Sequence, residues 1–296
     1  MVNPVIAADG NTYEMSAVVD HIKLKKTSPM DNVTKISVKG LVVNRALKNM
    51  IEDFVASPEC PADMKEDYEE TKKELDMIKA KKLYDEGRVL DAANLGYPET
   101  MGVMARNYSL GEGGFNVDKD KAFDFATKAA YAGDSSGQFN LAYCYHKGIG
   151  VQQDNAASLT WYQRCVDKGY YLALANNNMG RIYNIGGREV EKDFNKAADH
   201  YRIAADLGNA HAQFNLAHMY FDGKGVEQSF TEARKWYKLS ADQNNADAQL
   251  ILGQMILRGQ GSDEGDISEG FALIEKASTQ NNKAAKEYLA AIRKKF

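Results

Sequence analysis

The sequence predicts a mainly α fold: an α-solenoid of helix pairs preceded by a small α+β domain. Three observations carry this. A pattern recurs with a period of 36–39 residues along the C-terminal two-thirds, at Gly96, Gly133, Gly169, Gly208, Asn244 and Asn281. Only five prolines occur in 296 residues, and proline is excluded from helix interiors. The first 57 residues instead alternate β-branched runs with turn signals.

In that opening segment, Val5-Ile6, Asp9-Gly10 and Thr12-Tyr13 read as a strand, a turn and a return strand. A helix is expected from about Met15 to Lys25, with Ala17, Val18 and Ile22 on one stripe, and Thr27-Ser28-Pro29-Met30-Asp31-Asn32 breaks it. An extended stretch over 36–43 leads to a helix from about Arg45 to Val55, with Leu47, Ile51 and Phe54 on its apolar face and Pro58 as its stop.

Residues 58–95 read as a charged linking helix. Met64, Tyr68, Thr71, Leu75 and Ile78 recur at spacings of four and three. That spacing supports either an intramolecular packing face or a short coiled coil, with self-association through 62–90 as the alternative.

From residue 96 onward each period carries the same columns. The apolar column is Met104, Leu141, Met179, Leu216 and Leu252, each followed by Ala or Gly. Three residues further stand Tyr108, Tyr145, Tyr183, Tyr220 and Ile256, and three further again Gly111, Gly148, Gly186, Gly223 and Gly259. This is an amphipathic helix stopped by glycine in the left-handed conformation. A second helix is marked by small residues at Ala122, Ser158, Ala197, Ala233 and Gly270. Its bulky pairs are Phe125-Ala126, Trp161-Tyr162, His200-Tyr201, Trp236-Tyr237 and Leu273-Ile274, followed by a later small column, Ala129, Cys165, Ala204, Ser240 and Ala277. Two antiparallel helices per period, with small residues at the contacts, stack into a solenoid. The last stretch, Asn281–Phe296, reads as a further first helix acting as a cap.

Composition bounds the function. The net charge is −4, without a basic block, which excludes a phosphate-neutralising nucleic-acid binder. Cys60, Cys144 and Cys165 lie far apart and form no CxxC pair, so no disulfide framework is expected and a reducing compartment is. No apolar run reaches membrane-span length and no signal-peptide pattern opens the chain. A cytoplasmic location follows, with a nuclear location or secretion as an effector left open. The five histidines form no metal-binding spacing, and no dinucleotide or phosphate loop occurs. Neither a cofactor nor a metal is expected.

The recurring Leu-Ala-x-x-Tyr, Gly-x-Gly-Val and Trp-Tyr elements resemble Sel1-like repeats, relatives of the tetratricopeptide repeat, over Gly96–Phe296. The cleanest copy joins Phe214-Asn215-Leu216-Ala217, Gly223-Lys224-Gly225-Val226 and Trp236-Tyr237. The copy at Gly169 carries two extra residues and an irregular Gly186-Gly187-Arg188 loop, and the copy at Asn244 lacks the aromatic pair. The resemblance implies a protein-binding scaffold.

Asn3-Pro4-Val5, Ala8-Asp9-Gly10-Asn11-Thr12-Tyr13-Glu14, Thr27-Ser28-Pro29-Met30 and Val43-Asn44-Arg45-Ala46-Leu47 resemble a U-box, the zinc-free relative of the RING finger. The resemblance implies a ubiquitin ligase whose box docks a ubiquitin-conjugating enzyme (E2). Pro29 matches the family's contact proline and His21 a contact position, while Asp9, Gly10, Tyr13 and Asn44 match structural positions. U-boxes begin about a dozen residues earlier, with a loop that forms half of the docking surface; the chain starts after it, as expected of a truncated or a degenerate box.

A candidate peptide groove lies on the first helices of the repeats. Asn140, Asn178 and Asn215 share one column with Val103 and Ile251, and Arg106, Tyr143, Arg181, His218 and Gln254 share another. Asparagine offers both donor and acceptor to a peptide backbone; its other role is to bond between repeats. Two functions compete: a ligase that brings a substrate or scaffold partner on the solenoid to an E2 on the box, and a non-catalytic adaptor with a degenerate box. A hydrolase within the repeats is disfavoured, because the cysteine pairs seen in some bacterial relatives are absent.

Overall fold

The computed structural model describes residues 4–6, 12–14, 55–56, 58, 62–187, 189–261 and 267–293. The chain divides into two units, Met1–Tyr97 and Pro98–Phe296.

In the first unit, β1 (Pro4–Ile6) and β2 (Thr12–Glu14) pair antiparallel, with Val5 opposite Tyr13. These are the two strands the turn chemistry predicts. Val55, at the end of the expected 45–55 helix, is helical and buried. The linking segment is not one helix but two. Helix α1 (Ala62–Asp85) breaks at Gly87, whose φ is 77°, and α2 (Val89–Asn94) follows. Among the described side chains of these two helices, Ala80, Leu83, Ala92 and Ala93 are buried. The expected seam needs correction at its C-terminal end, where Ile78 is 55% exposed while Ala80 and Leu83 are buried. The two helices pack on each other across the turn at Gly87, and Ala80 and Leu83, near that turn, are the residues covered.

The second unit is a stack of helix pairs. First helices are α3 (Pro98–Leu110), α5 (Ser135–Lys147), α7 (Leu172–Ile185), α9 (Ala210–Asp222), α11 (Ala246–Leu257) and α13 (Lys283–Arg293). Second helices are α4 (Lys119–Tyr131), α6 (Asn155–Asp167), α8 (Phe194–Asp206), α10 (Phe230–Asp242) and α12 (Ile267–Thr279).

The predicted columns form the core. Met104, Leu141, Met179, Leu216 and Leu252 are at most 3% exposed, and Tyr162, Tyr237 and Ile274 are fully buried. Burying a side chain of this size contributes about 1.5–3 kcal/mol. Small residues at Ala142, Ala217, Ala122 and Ala233 let the helices approach, since all four are fully buried. His200 and Leu273 in the bulky column are only half-buried. His200 stacks on Tyr183 (centroids 5.6 Å apart, 2° between planes) and its Nδ1 lies 2.9 Å from Asn176 Oδ1.

The helix ends obey local chemistry. Asp118, Asp154, Asp193 and Ser229 each accept a hydrogen bond from the backbone N–H three residues on, capping second helices; Asp134, Asn209, Asn245 and Asn282 do the same for first helices. The period-marking residues Gly96, Gly133, Gly169, Gly208, Asn244 and Asn281 all have positive φ. The N–H of the following residue reaches back five positions, as in Tyr97 to Ala92, Asn209 to Ala204 and Asn282 to Ala277. This is the Schellman stop, and asparagine is the side-chain-bearing residue that tolerates its left-handed turn. The N-cap residue's own N–H then bonds the carbonyl of the tyrosine column, as in Asp118 to Tyr108, Asp154 to Tyr145, Asp193 to Tyr183 and Ser229 to Tyr220.

Candidate functional site

The first helices present the candidate groove residues. Asn140 is half-buried, and its Nδ2 donates to the Gly102 carbonyl of α3 (2.8 Å). Asn215 Nδ2 donates to Asn177 Oδ1 of α7 (3.2 Å). Both amides therefore tie one first helix to its predecessor, 38 residues back. Asn178 is 9% exposed.

The neighbouring column is less uniform. Arg106 is exposed and pairs with Glu112 (3.0 Å). Tyr143 and Arg181 are half-buried. His218 is exposed, with Nδ1 3.3 Å from the Tyr237 hydroxyl and Nε2 3.9 Å from Asp222. Of the box residues, Tyr13 lies in β2 opposite Val5, while Asp9, Gly10, His21, Pro29 and Asn44 lie outside the described residues.

Burial governs the chemistry of the remaining titratable groups. It pushes the Cys144 and Cys165 thiols up to about 12, which keeps them protonated and unreactive. It also raises the Tyr162, Tyr201 and Tyr237 hydroxyls and lowers His146 and His200, leaving both imidazoles neutral. Among the described residues no cluster of three metal-ligating side chains exists, and no helix is long and apolar enough to cross a membrane.

A polar ladder runs through the repeats that the sequence reading did not identify. Gln213 and Gln249, both buried, donate to the Ala205 and Ala241 carbonyls (3.2 and 3.1 Å). Their Oε1 atoms accept from Gln243 and Gln280 of the following second helices and turns (2.8 and 2.7 Å). Gln138 holds the same column, but its buried Oε1 has no partner among the described residues. The residue 30 positions on is Lys168, which bonds the Gly133 carbonyl instead. The signal was present in the sequence: three glutamines at one repeat position.

These stacked pairs coincide with a known family. Residues 98–134, 135–170, 173–209, 210–245 and 246–282 each match the Sel1 repeat, together more than half of the chain. The chain belongs to the Sel1 repeat family. Residues 1–59 match the U-box domain. The chain resembles the crystal structure of c5321, a protective antigen of uropathogenic Escherichia coli strains, with a TM-score of 0.61 and 28% identity over 77% of this chain and 50% of that one. It is equally similar to a Sel1 repeat protein from Oxalobacter formigenes, with a TM-score of 0.61 and 27% identity over 73% of this chain and 89% of that one. A putative Sel1-like repeat-containing protein, L21, of Acanthamoeba polyphaga mimivirus is 31% identical over 136 residues, 46% of this chain and 22% of its own length. The chain thus spans about a fifth of that viral relative. The first Sel1 match begins at residue 98, where the second structural unit also begins.

Proposed function

We propose that this protein is a U-box-type ubiquitin ligase whose Sel1 repeats recruit a substrate or scaffold partner. The observation that carries the reading is the U-box match over residues 1–59 in one chain with five Sel1 repeats. A U-box has no nucleophile of its own. It holds a ubiquitin-charged E2 in an orientation that favours attack by a lysine, so its catalysis is positional. In this reading Pro29 and His21 contact the E2; Asp9, Gly10, Tyr13 and Asn44 hold the box; and the first-helix columns face the partner.

The test is an in vitro reaction containing activating enzyme, ubiquitin, ATP and a panel of E2 enzymes. The ligase reading expects self-ubiquitination with at least one E2, lost on Pro29→Ala. Absence of ubiquitin conjugates across the panel refutes it and leaves a Sel1 adaptor. For the groove, Asn140→Ala with Asn215→Ala should weaken partner capture while helicity is retained; unchanged capture assigns both asparagines to repeat stacking alone.

A further inference from the structure

Consecutive repeats are joined by directional ties at every junction but one. The second repeat holds the first through Asn140, which donates to the Gly102 carbonyl (2.8 Å), and through Gly150, where a Cβ would collide with the Lys119 carbonyl. The fourth holds the third through Asn215 to Asn177 (3.2 Å), Gln213 to the Ala205 carbonyl (3.2 Å) and Gly225 seated on the Phe194 carbonyl. The fifth holds the fourth through Gln249 to the Ala241 carbonyl (3.1 Å) and Gly261 seated on the Phe230 carbonyl.

Between the second and third repeats none of these three kinds of tie is made among the described residues. The asparagine column supplies no bond from α7 to α5. The glutamine column holds Asn176, which is 2% exposed. Its Nδ2 donates to the Leu172 carbonyl (2.9 Å) and its Oδ1 lies 2.9 Å from His200 Nδ1, so both polar atoms are used inside the third repeat. In the sequence, the position of the seating glycine is Arg188. A Cβ on Gly187, next to it, would meet the Asn155 side chain but no backbone of α6 within 4 Å, and the Gly187 N–H donates within its own loop, to the Val190 carbonyl (2.8 Å). A cleft of about 390 Å³ opens here, lined in part by Ala156 and Leu159 of α6, Tyr183 of α7 and Val190. Helix α7 also begins without a side-chain cap, at Tyr171 with φ 51°, whose ring stacks on Phe139 (5.0 Å).

The stability of a solenoid is a sum of repeat terms and nearest-neighbour interface terms. A stack therefore yields first at the junction with the fewest directional bonds. A hydrogen bond, or a glycine wedged on a backbone carbonyl, fixes both spacing and angle. Apolar contact such as that of Tyr171 on Phe139 is non-directional and tolerates rotation. Close-packed interfaces leave no room to rotate, and the cleft beside Val190 supplies that room.

We propose that the α6–α7 junction is a hinge about which the solenoid bends as two blocks, repeats one and two against repeats three to five. Bending there changes the curvature of the first-helix face while the ties within each block stay intact. The hinge concerns the shape of the scaffold, so it holds whichever partner the repeats take and whether or not the box engages an E2.

The test is double electron–electron resonance between spin labels on the full chain. Asp124, Thr160, Asp199, Lys235 and Ala272 form one exposed column on the second helices, one per repeat. Labels are attached through Asp124→Cys with Asp199→Cys, Thr160→Cys with Lys235→Cys, and Asp199→Cys with Ala272→Cys, each in a Cys60→Ser background; Cys144 and Cys165 are buried and stay unlabelled. All three pairs are two repeats apart, so the label arms broaden them alike, and circular dichroism checks that helicity is retained. The first two pairs cross the α6–α7 junction and the third does not. Their distance distributions should be at least about twofold broader than that of the third pair. Any other pattern overturns the proposal: equal widths mean a uniformly stiff or uniformly flexible stack, a broad third pair puts the bend beyond α8, and a narrow second pair puts it before α6.

Discussion

Two glycine columns in the repeats serve different physical ends, and mutating one of each separates them. Gly208 makes the stop between α8 and α9 with φ 86°, and a Cβ there would meet nothing within 4 Å. Gly225, in the loop after α9, has φ 67°, and a Cβ there would collide with the Phe194 carbonyl at the start of α8. Gly150 meets Lys119 and Gly261 meets Phe230 in the same way, so these three glycines seat their loops on the previous repeat. Gly208→Ala is charged only for the left-handed backbone, about 1–2 kcal/mol. Gly225→Ala adds the cost of overpacking against backbone, about 1–3 kcal/mol more, because a carbonyl inside a helix cannot swing away as a side-chain tip can. The expected totals are about 1–2 and about 2–5 kcal/mol respectively. Gly208→Asn should cost only a few tenths of a kcal/mol, roughly the C-cap preference of asparagine, since Asn244 and Asn281 fill the same position naturally. Urea unfolding followed by circular dichroism at the helical band measures all three. If Gly225→Ala falls within half a kcal/mol of Gly208→Ala, or Gly208→Asn destabilises as much as Gly225→Ala, the division into conformational and contact glycines is wrong.

Lys168→Gln should place an amide beside the unpartnered Gln138 Oε1 and complete the ladder, raising stability by about 0.5–1.5 kcal/mol in the same urea assay; no gain would show that the Lys168 bond to Gly133 is worth as much. In a Cys60→Ser background, Cys144 and Cys165 should resist a thiol reagent at pH 8 in buffer and react fully in urea, because burial holds both thiols near 12; fast labelling of the folded chain would contradict the burial. His146 and His200 are lowered below the ordinary histidine value of 6.5 by burial, so the unfolded chain binds more protons than the folded one below that pH. Stability should therefore be complete above about pH 6.5 and fall as acid drives both rings to charge. His200→Phe should flatten part of that fall between pH 6.5 and 5, and an unchanged slope would remove His200 from the explanation.

The solenoid was legible because stacking forces identical contacts on each repeat. The buried leucine and alanine columns, the tyrosine that returns its carbonyl to the next N-cap, and the glycine stops are all set by one local geometry, so each recurs at a fixed offset. What escaped the reading was pairwise or context-dependent. The glutamine ladder needs Gln213 and Gln243 together, 30 residues apart, and neither looks unusual alone. Ala92-Ala93-Asn94-Leu95-Gly96 repeats the Ala204-Ala205-Asp206-Leu207-Gly208 ending, yet the helix in front of it, α2, is only six residues long and was absorbed into a supposed single linker. Spacing alone places Ile78 on a seam, because a heptad pattern does not register the turn at Gly87 near which Ala80 and Leu83 are covered and Ile78 is not.

The two adjacent columns on the first helices divide the labour of a scaffold. Asn140 and Asn215 spend their amide nitrogens on the preceding helix, so at those two repeats the position serves stacking and its amide is not available to a partner. The column beside it is freed from that duty: Arg106, Tyr143, Arg181, His218 and Gln254 differ in charge, size and hydrogen-bonding type, and each is at least partly exposed. Specificity in a repeat surface must come from positions where one repeat differs from the next, because identical residues present identical chemistry along the stack. Within this column, Arg106 and His218 have acidic neighbours, Tyr143 and Gln254 are neutral, and Arg181 is a half-buried cation with no carboxylate partner among the described residues, so the position changes its chemistry from one repeat to the next.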